Sequence, residues 1–157
     1  MTKPLTKNIL TREHTGVYGV NIKDDNSQVL LILKGRGPYK GMYDLPGGGI
    51  EKDETMEHAL IREYKEEVGC DLLSYKFLYE DLSIFPYTSQ SEGEVSFQHK
   101  AYFYSVTLPE DVEIKASPDG HDSMGTIYVD VSEIIEGNVI VAPMARKAIL
   151  KALGVSV

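Results

Sequence analysis

A stretch between residues 55 and 69 constrains this chain most, because it combines a helical apolar stripe with closely spaced carboxylates. Thr55 is a suitable N-cap, and Gly69 is a suitable stop after the last turn. At about 100° per residue, Glu67 lies about 40° from Glu63 on one side and Glu66 about 60° from it on the other. The neighbouring arc is apolar and contains Met56, Leu60, Ile61, Tyr64 and Val68. The three acids are therefore predicted on the shoulder of the buried stripe.

Three carboxylates crowded beside a buried stripe repel one another, and burial raises the free-energy cost of their charges. Arg62 flanks the acids and can balance one carboxylate, but one guanidinium cannot balance three. Hard divalent cations with oxygen ligands solve this problem, and Mg²⁺ is common where phosphates complete the coordination shell. The alternative interpretation of a Glu-rich helix is a solvated acidic surface without a ligand.

The segment upstream of this helix, residues 35–49, contains six glycines and two prolines and cannot be regular structure throughout. Three basic residues lie in or beside it, namely Lys34, Arg36 and Lys40. These side chains are predicted to contact substrate phosphates, and simple exposure in a loop is the alternative. The glycine spacing does not match that of the dinucleotide or P-loop motifs.

The remaining pattern predicts strands at residues 17–22, 29–33, 76–84, 96–108 and 126–131, and a last helix at 143–153. Strands and helices interleave, which predicts an α/β fold with a mixed sheet. Residues 29–33 are continuously apolar, so this strand is expected to be buried on both faces. No repeat or linker divides the sequence, and a single domain across residues 1–157 is expected.

Composition excludes several classes of protein. Sixteen basic against 24 acidic residues give a net charge of −8, which argues against a general nucleic-acid binder and a binder of anionic membranes. The single Cys70 excludes an intramolecular disulfide. The first ten residues carry no apolar signal core, and no apolar run approaches the roughly 18 residues of a membrane span. We therefore expect a soluble cytoplasmic protein.

The acidic helix and its upstream glycine belong to a longer pattern. Gly48, Glu54, Arg62-Glu63, Glu66-Glu67 and Gly69 satisfy G-x5-E-x7-R-E-U-x-E-E-x-G-U, where U is aliphatic. This pattern resembles the signature of the Nudix hydrolases, with Tyr64 and Cys70 as mild departures at the aliphatic positions. The preceding segment, residues 42–48, is similar to the family's entry into the motif. The resemblance implies a Nudix-type α/β/α sandwich with a mixed β-sheet.

The resemblance also implies an activity and its residues. The activity is hydrolysis of a nucleoside diphosphate linked to another moiety, with Mg²⁺ or Mn²⁺ as cofactor. The implied metal ligands are Glu63, Glu66, Glu67 and the carbonyl of Gly47. Arg62 and Glu54 resemble the pair that orients the catalytic helix, and Glu63 is favoured, beside Glu66, as the proton acceptor.

Further substrate contacts follow from position. Tyr43 stands where the family often has an aromatic residue, and a downstream acid is expected to join the site. Asp122 is the first candidate for that acid, with Glu92 and Glu94 as alternatives. Stacking on a base is possible at several aromatic residues, for which packing is the alternative: Tyr39, Tyr43, Phe85, Tyr87, Tyr102 and Tyr104.

Substrate choice stays open at this stage. Pro86 lies 16 residues after Cys70, which resembles a marker of ADP-ribose pyrophosphatases, and Tyr87 lies 17 after it, which resembles a marker of dinucleoside polyphosphate hydrolases. The short chain looks more like MutT-type nucleoside triphosphate pyrophosphohydrolases. The expected partner is a small nucleotide, and the expected assembly is a monomer or homodimer. The rival hypotheses are a nucleotide-binding module without catalysis and an acidic cation-binding scaffold.

Overall fold

Within residues 9–115 and 123–155, which the computed structural model describes, seven strands and three helices follow one another along the chain. In chain order they are β1 (Leu10–Val20), β2 (Gln28–Lys34), β3 (Tyr43–Asp44), β4 (Gly47–Gly49), α1 (Met56–Glu67), β5 (Ser74–Ser89), β6 (Gly93–Thr107), β7 (Ser123–Asp130), α2 (Val131–Ile135) and α3 (Pro143–Ala152).

The strands form two sheets. The larger sheet has the order β4-β1-β6-β5, in which β1 and β6 are parallel and the other neighbours are antiparallel. The smaller sheet has the order β3-β2-β7 and is antiparallel. The larger sheet thus mixes both pairings, as the sequence predicts.

Helices cover both faces of the strands. On β2, Leu30 joins one apolar cluster with α1, whereas Val29 and Leu31 join a second cluster with α3. On β1, Val17 faces the α1 cluster and Tyr18 faces the α3 cluster. This alternation follows from the two-residue period of a strand, and it confirms the predicted α/β/α layering and the burial of β2 on both faces.

Helix α1 has the predicted capping residues. The Thr55 side chain accepts a hydrogen bond from the His58 backbone N–H at 3.1 Å, which satisfies one of the free donors of the first turn. At the other end, Gly69 adopts a φ of 83° and its N–H donates to the carbonyl of Tyr64. The predicted bounds of this helix are confirmed.

All five predicted strands are longer than predicted, and the short strands β3 and β4 and one helix were not predicted. β1 begins at Leu10 instead of residue 17, and its first residues are mostly exposed, so they carry no apolar alternation. β5 and β6 extend into a long exposed hairpin for the same reason. The predicted strand at 126–131 is β7, which ends at Asp130, where the short helix α2 begins. The predicted last helix is confirmed as α3.

The helices found in the described part of the chain are all too short or too polar to cross a membrane.

Candidate active site

Arg62 lies at the centre of the acidic cluster on α1. Its Nε and Nη2 donate to the two carboxylate oxygens of Glu54 at 2.8 and 2.9 Å, and Nη2 also donates to the Gly49 carbonyl at 3.0 Å. Its Nη1 donates to Glu63 at 3.0 Å and to Glu66 at 3.4 Å. One guanidinium therefore ties the helix to the loop before it and to two of its own acids.

Arg62 and Glu54 form a bidentate ion pair, which is the strongest geometry for a guanidinium and a carboxylate. The hydrogen bond from Arg62 lowers the pKa of Glu54 to about 2, and the same bond raises the pKa of Arg62. The Glu51 backbone N–H donates to Glu54 at 3.1 Å and fixes this carboxylate from the loop side. Both groups keep their charges at any working pH, so the brace under α1 is permanent.

Glu63 and Glu67 are the buried acids of α1, whereas Glu66 is exposed. Glu67 accepts a hydrogen bond at 3.0 Å from the backbone N–H of Gly47. Burial raises the pKa of Glu63, against the opposing charge of Arg62. The predicted shoulder position is thus confirmed for two of the three acids, and Glu66 points into solvent.

The glycines of β4 are what let the loop approach these acids. A Cβ on Gly48 would lie 2.6 Å from Oε1 of Glu63, and one on Gly47 would lie 2.7 Å from the Cα of Tyr18. Gly47 also adopts a φ of 149°, which L-residues rarely do. The close contact of β4 with α1 therefore requires glycine at position 48, and its close contact with β1 requires glycine at position 47.

Lys34 is the predicted basic residue that the structure brings to the acids. It ends β2, and its charge acts on both Asp44 and Glu63. Burial raises the pKa of Asp44 to about 6, and the charge of Lys34 opposes that shift. Arg36 and Lys40 are exposed in the loop that follows.

The other predicted contacts are placed differently. Tyr43 packs against the α3 cluster and pairs with Val141. Glu92, an alternative acid, accepts a hydrogen bond at 2.8 Å from Nε of Arg12 at the far end of β1. Glu94 is exposed on β6 opposite Thr88. Asp122 lies outside the described residues.

The acids are not already arranged as a closed metal site. Over residues 9–115 and 123–155, no three His, Cys, Asp or Glu side chains converge as ligands. The contacts explain this, because Arg62 holds Glu63 and Glu66 while the Gly47 N–H holds one oxygen of Glu67. Carboxylate oxygens are hard donors, the type of ligand that suits Mg²⁺ or Mn²⁺.

Sequence reasoning missed a buried polar cluster beside this site. His99 is 3% exposed and contacts two tyrosine hydroxyls, that of Tyr39 at 2.7 Å from Nδ1 and that of Tyr18 at 2.8 Å from Nε2. Burial lowers the pKa of His99 to about 4, so its ring is neutral and offers one donor and one acceptor. Tyr18 pairs with Gly47, so the cluster lies directly beneath β4. No local motif marks it, because its members come from three distant segments.

A large cavity lies away from the acids. It has a volume of about 750 Å³ and is lined by residues of the 21–25 turn, the end of β6 and Tyr128. A smaller cavity of about 390 Å³ lies between the 38–42 loop, β5 and the start of α3. Only the smaller one contains a member of the His99 cluster, Tyr39. Because the acids define the chemistry, we assign the candidate site to them and not to the cavity of about 750 Å³.

Comparison with known proteins agrees with this geometry. The NUDIX domain model matches residues 12–149. The chain is 43% identical over 56 residues to an ADP-ribose pyrophosphatase of Methanocaldococcus jannaschii, covering 36% of this chain and 33% of that protein. It is 56% identical over 50 residues to the nucleoside triphosphatase NudI of an Enterobacter species, covering 31% of this chain and 36% of that protein. The chain thus matches about a third of the length of each of these relatives.

A solved structure resembles the whole fold. The NUDIX domain of Shewanella oneidensis NrtR, determined in complex with ADP ribose, superposes with a TM-score of 0.69 and covers 92% of this chain and 89% of that one. At 16% identity this likeness concerns the fold alone. The match of the domain model to most of the chain, together with Arg62 and the acids it holds, shows that the chain belongs to the NUDIX domain family.

Proposed function

We propose that this protein is a metal-dependent hydrolase that cleaves the pyrophosphate linkage of a nucleoside diphosphate derivative. The observation that carries the proposal is the pair of buried carboxylates, Glu63 and Glu67, held against the glycines of β4 beside the Arg62–Glu54 brace. A binding module or an acidic scaffold has no need for two costly buried acids around a fixed arginine.

Glu63, Glu66, Glu67 and the carbonyl of Gly47 would hold the divalent ion. When bound, such an ion would neutralise the negative charge of the pyrophosphate and activate a water for attack. Glu63 is suited to accept a proton during hydrolysis, because its carboxylate lies at the β4–α1 contact in the middle of the acidic cluster. Arg62 and Glu54 keep α1 in position.

Lys34 supplies positive charge beside Glu63 and is suited to bind a substrate phosphate. Arg36 and Lys40, exposed on the adjoining loop, are suited to the outer phosphates. Tyr43 and Asp122 stay proposed substrate contacts from the sequence pattern. Because the protein has a net charge of −8, it repels an anionic substrate. The positive charges of Lys34, Arg36 and Lys40 would offset this repulsion at the site.

A nucleoside triphosphate is the substrate we favour, as in MutT-like pyrophosphohydrolases. The segment shared with the NudI relative supports this choice. The segment shared with the ADP-ribose pyrophosphatase supports ADP-ribose as the second candidate, and dinucleoside polyphosphates are a third. We further propose that the protein acts in the cytoplasm as a monomer or homodimer.

The test is hydrolysis of a substrate panel with and without Mg²⁺. The panel holds canonical and oxidised nucleoside triphosphates, ADP-ribose, sugar nucleotides, dinucleoside polyphosphates and NADH, with products separated by chromatography. Glu67→Gln keeps the hydrogen-bond acceptor for Gly47 and removes the charge, so we expect turnover to fall by about 100-fold or more without loss of fold. Glu133→Gln on α2 is the matched control and should leave turnover unchanged.

Three outcomes would contradict the proposal. Full activity of Glu67→Gln on the hydrolysed substrate would show that the site is elsewhere. Absence of turnover across the panel, with tight nucleotide binding by calorimetry, would favour a binding module. Metal binding that is equally strong with and without nucleotide, and no turnover, would favour a scaffold.

A further inference from the structure

The loop between β2 and β3 is a closed hairpin whose tip, residues 36–40, carries two of the proposed phosphate contacts. Backbone hydrogen bonds close its base, since the Lys34 N–H donates to the Met42 carbonyl at 2.9 Å and the Gly41 N–H donates to the Lys34 carbonyl at 2.9 Å. Arg36 and Lys40 are the exposed cations at the two ends of the tip. The direction in which these charges point therefore depends on what holds the tip.

Glycines leave the backbone around the tip conformationally free. Gly37 and Gly41 have φ values of 84° and 83°, in the left-handed region that favours glycine. Among the described residues, no heavy atom beyond the chain neighbours lies within 4 Å of a Cβ added at either position. Packing against these two glycines therefore does not determine where the tip lies.

Tyr39, by contrast, ties the tip to the core. It lies next to Lys40, is 9% exposed and belongs to the apolar cluster of α3. Its hydroxyl lies 2.7 Å from Nδ1 of His99 on β6, and Nε2 of the same ring lies 2.8 Å from the Tyr18 hydroxyl on β1. A single buried ring thus joins the loop tip to two neighbouring strands of the larger sheet.

The neutral His99 ring suits this connection, because it has one donor and one acceptor. One ring nitrogen can donate to a tyrosine oxygen while the other accepts from a tyrosine hydroxyl, so both polar contacts are satisfied within the core. The ring is also held from its sides, with its centroid 5.2 Å from that of His14 and 6.0 Å from that of Phe97. The position of the Tyr39 hydroxyl is therefore set by the sheet.

We propose that His99 is a positioning residue for substrate binding, because it holds the loop tip through Tyr39. A held tip presents Arg36 and Lys40 to the outer phosphates of the substrate, so the inference rests on the proposed function. A fixed tip has less freedom to lose when the phosphates bind, and the tie should therefore lower KM. It should leave kcat unchanged, because the ring bonds to two tyrosines and not to the acids of α1.

Two amide side chains separate the two hydrogen bonds of the ring. The amide of asparagine lies about where Nδ1 of histidine stands, and the amide of glutamine lies about where Nε2 stands. His99→Asn should therefore keep the bond to Tyr39, whereas His99→Gln should keep the bond to Tyr18 and lose the other. Tyr39→Phe removes the same bond from the side of the loop.

We expect His99→Gln and Tyr39→Phe to raise the KM of the hydrolysed substrate about 3- to 10-fold, the range for one buried hydrogen bond, with kcat within about twofold of the parent. His99→Asn should leave both constants near those of the parent. A general loss of stability would not produce this difference, because each amide variant leaves one tyrosine hydroxyl without its histidine partner. Tyr128→Phe is the matched control, since it removes a tyrosine hydrogen bond of 2.8 Å to Asn21 elsewhere in the fold, and its KM should be unchanged.

Trypsin provides a readout that needs no turnover. It cleaves after lysine and arginine, so the exposed Arg36 and Lys40 report how tightly the tip is held. In EDTA and without nucleotide, His99→Gln and Tyr39→Phe should be cleaved at these residues faster than the parent. The asparagine variant and Tyr128→Phe should be cleaved at the parental rate, and mass spectrometry of the fragments identifies each cut.

Three results would overturn the inference: the same KM in both amide variants, a fall in kcat without a rise in KM, or parental cleavage of His99→Gln and Tyr39→Phe. If no substrate is hydrolysed, the dissociation constant of inorganic triphosphate, measured by calorimetry in EDTA, takes the place of KM. Turnover with an unchanged KM in His99→Gln would retain the hydrolase and reject the positioning role. Faster cleavage and weaker triphosphate binding in that variant, without turnover in the parent, would retain the positioning role and reject the hydrolase.

Discussion

Tyr64 places a hydroxyl in the core beneath α1, where the surrounding residues are apolar. Its side chain is fully buried, and its hydroxyl has no hydrogen-bond partner among the described residues. The ring lies over Gly19 of β1, where an added Cβ would come within 2.6 Å of its Cε2 atom. Because Gly19 of β1 has no side chain, there is room for the large side chain of Tyr64 on α1.

Replacing Tyr64 by Phe should stabilise the protein. The substitution keeps the ring over Gly19 and removes a buried polar group that gains nothing on folding, so we expect the free energy of unfolding to rise by about 1 kcal/mol. Urea denaturation followed by circular dichroism measures the change. The companion Gly19→Ala should destabilise the fold by steric overlap. A less stable Tyr64→Phe variant would mean that the hydroxyl is satisfied by a buried water.

Gly48 and Gly49 offer a matched pair beside the acids. Alanine at Gly48 would push its Cβ to 2.6 Å from the Glu63 carboxylate, whereas at Gly49 the Cβ would meet the His14 ring at 3.2 Å. We expect Gly48→Ala to lower turnover at least tenfold with a small change in melting temperature, because it displaces the carboxylate of Glu63, the proposed proton acceptor. Gly49→Ala should leave turnover within about threefold of the parent. Similar losses in both variants would contradict the assigned role of Glu63.

The acids of α1 could be predicted from the sequence pattern around them, whereas the buried cluster around His99 could not. Positions 63, 66 and 67 follow from helix periodicity and from a spacing shared with a known family. His99 belongs to no such spacing in the sequence. His99 is held in the core by hydrogen bonds with Tyr18 and Tyr39, which lie 81 and 60 residues away in the sequence. A contact between such distant segments leaves no local pattern in a sequence.

At the scale of elements, β1 and β6 bring the buried His99 cluster together, and this has a consequence for acid stability. The ring is neutral in the folded state because burial lowers its pKa from 6.5 to about 4. Between these values the unfolded chain binds the proton and the folded chain does not. The contribution of His99 to the free energy of unfolding is therefore complete above about pH 6.5 and is lost as the pH falls towards 4.

Comparison of the parent with His99→Asn isolates this contribution. The free energy of unfolding of the parent should fall more steeply between pH 6.5 and 4 than that of the variant, as measured by chemical denaturation at several pH values. Asp44 acts in the opposite direction, because its raised pKa of about 6 makes its burial less costly on acidification, and it is present in both proteins. If the pH profiles of the parent and of His99→Asn are parallel, the prediction is wrong. His99 would then bind its proton at the same pH in the folded and in the unfolded state.

Element bounds were predictable where one face is buried. β2 and α1 carry continuous or periodic apolar residues, and both were predicted close to their observed bounds. The first half of β1 is exposed and polar, so its strand conformation depends on pairing with β6 and not on its own residues. The same holds for the outer half of β5, which pairs with β6, whereas the outer half of β6 pairs with both β5 and the first half of β1.

At the scale of the whole molecule, a divalent ion should stabilise the protein. The chain has a net charge of −8 and carries buried acids on α1, so a bound cation removes repulsion that the free protein retains. At a hundredfold excess over the dissociation constant, binding adds about 2.7 kcal/mol, which for a chain of this size raises the melting temperature by about 5 to 10 °C.

Calorimetric melts with Mg²⁺ and with EDTA measure this shift. Glu67→Gln should lose most of it, whereas Glu133→Gln on α2 should retain it. NaCl at matched ionic strength separates general screening from binding. An equal rise in the Glu67→Gln protein would place the ion elsewhere on the acidic surface.

The parallel pairing of β1 with β6 also determines when the site can assemble. Leu10 pairs with Val95, so the two strands meet across 85 positions of sequence. β1 is also the strand on which β4 and α1 rest. Contacts of such high sequence separation form slowly, because a long loop must close before they are gained. During synthesis, the acids of α1 therefore leave the ribosome well before the strand that completes their support, and the site can form only after β6 has emerged.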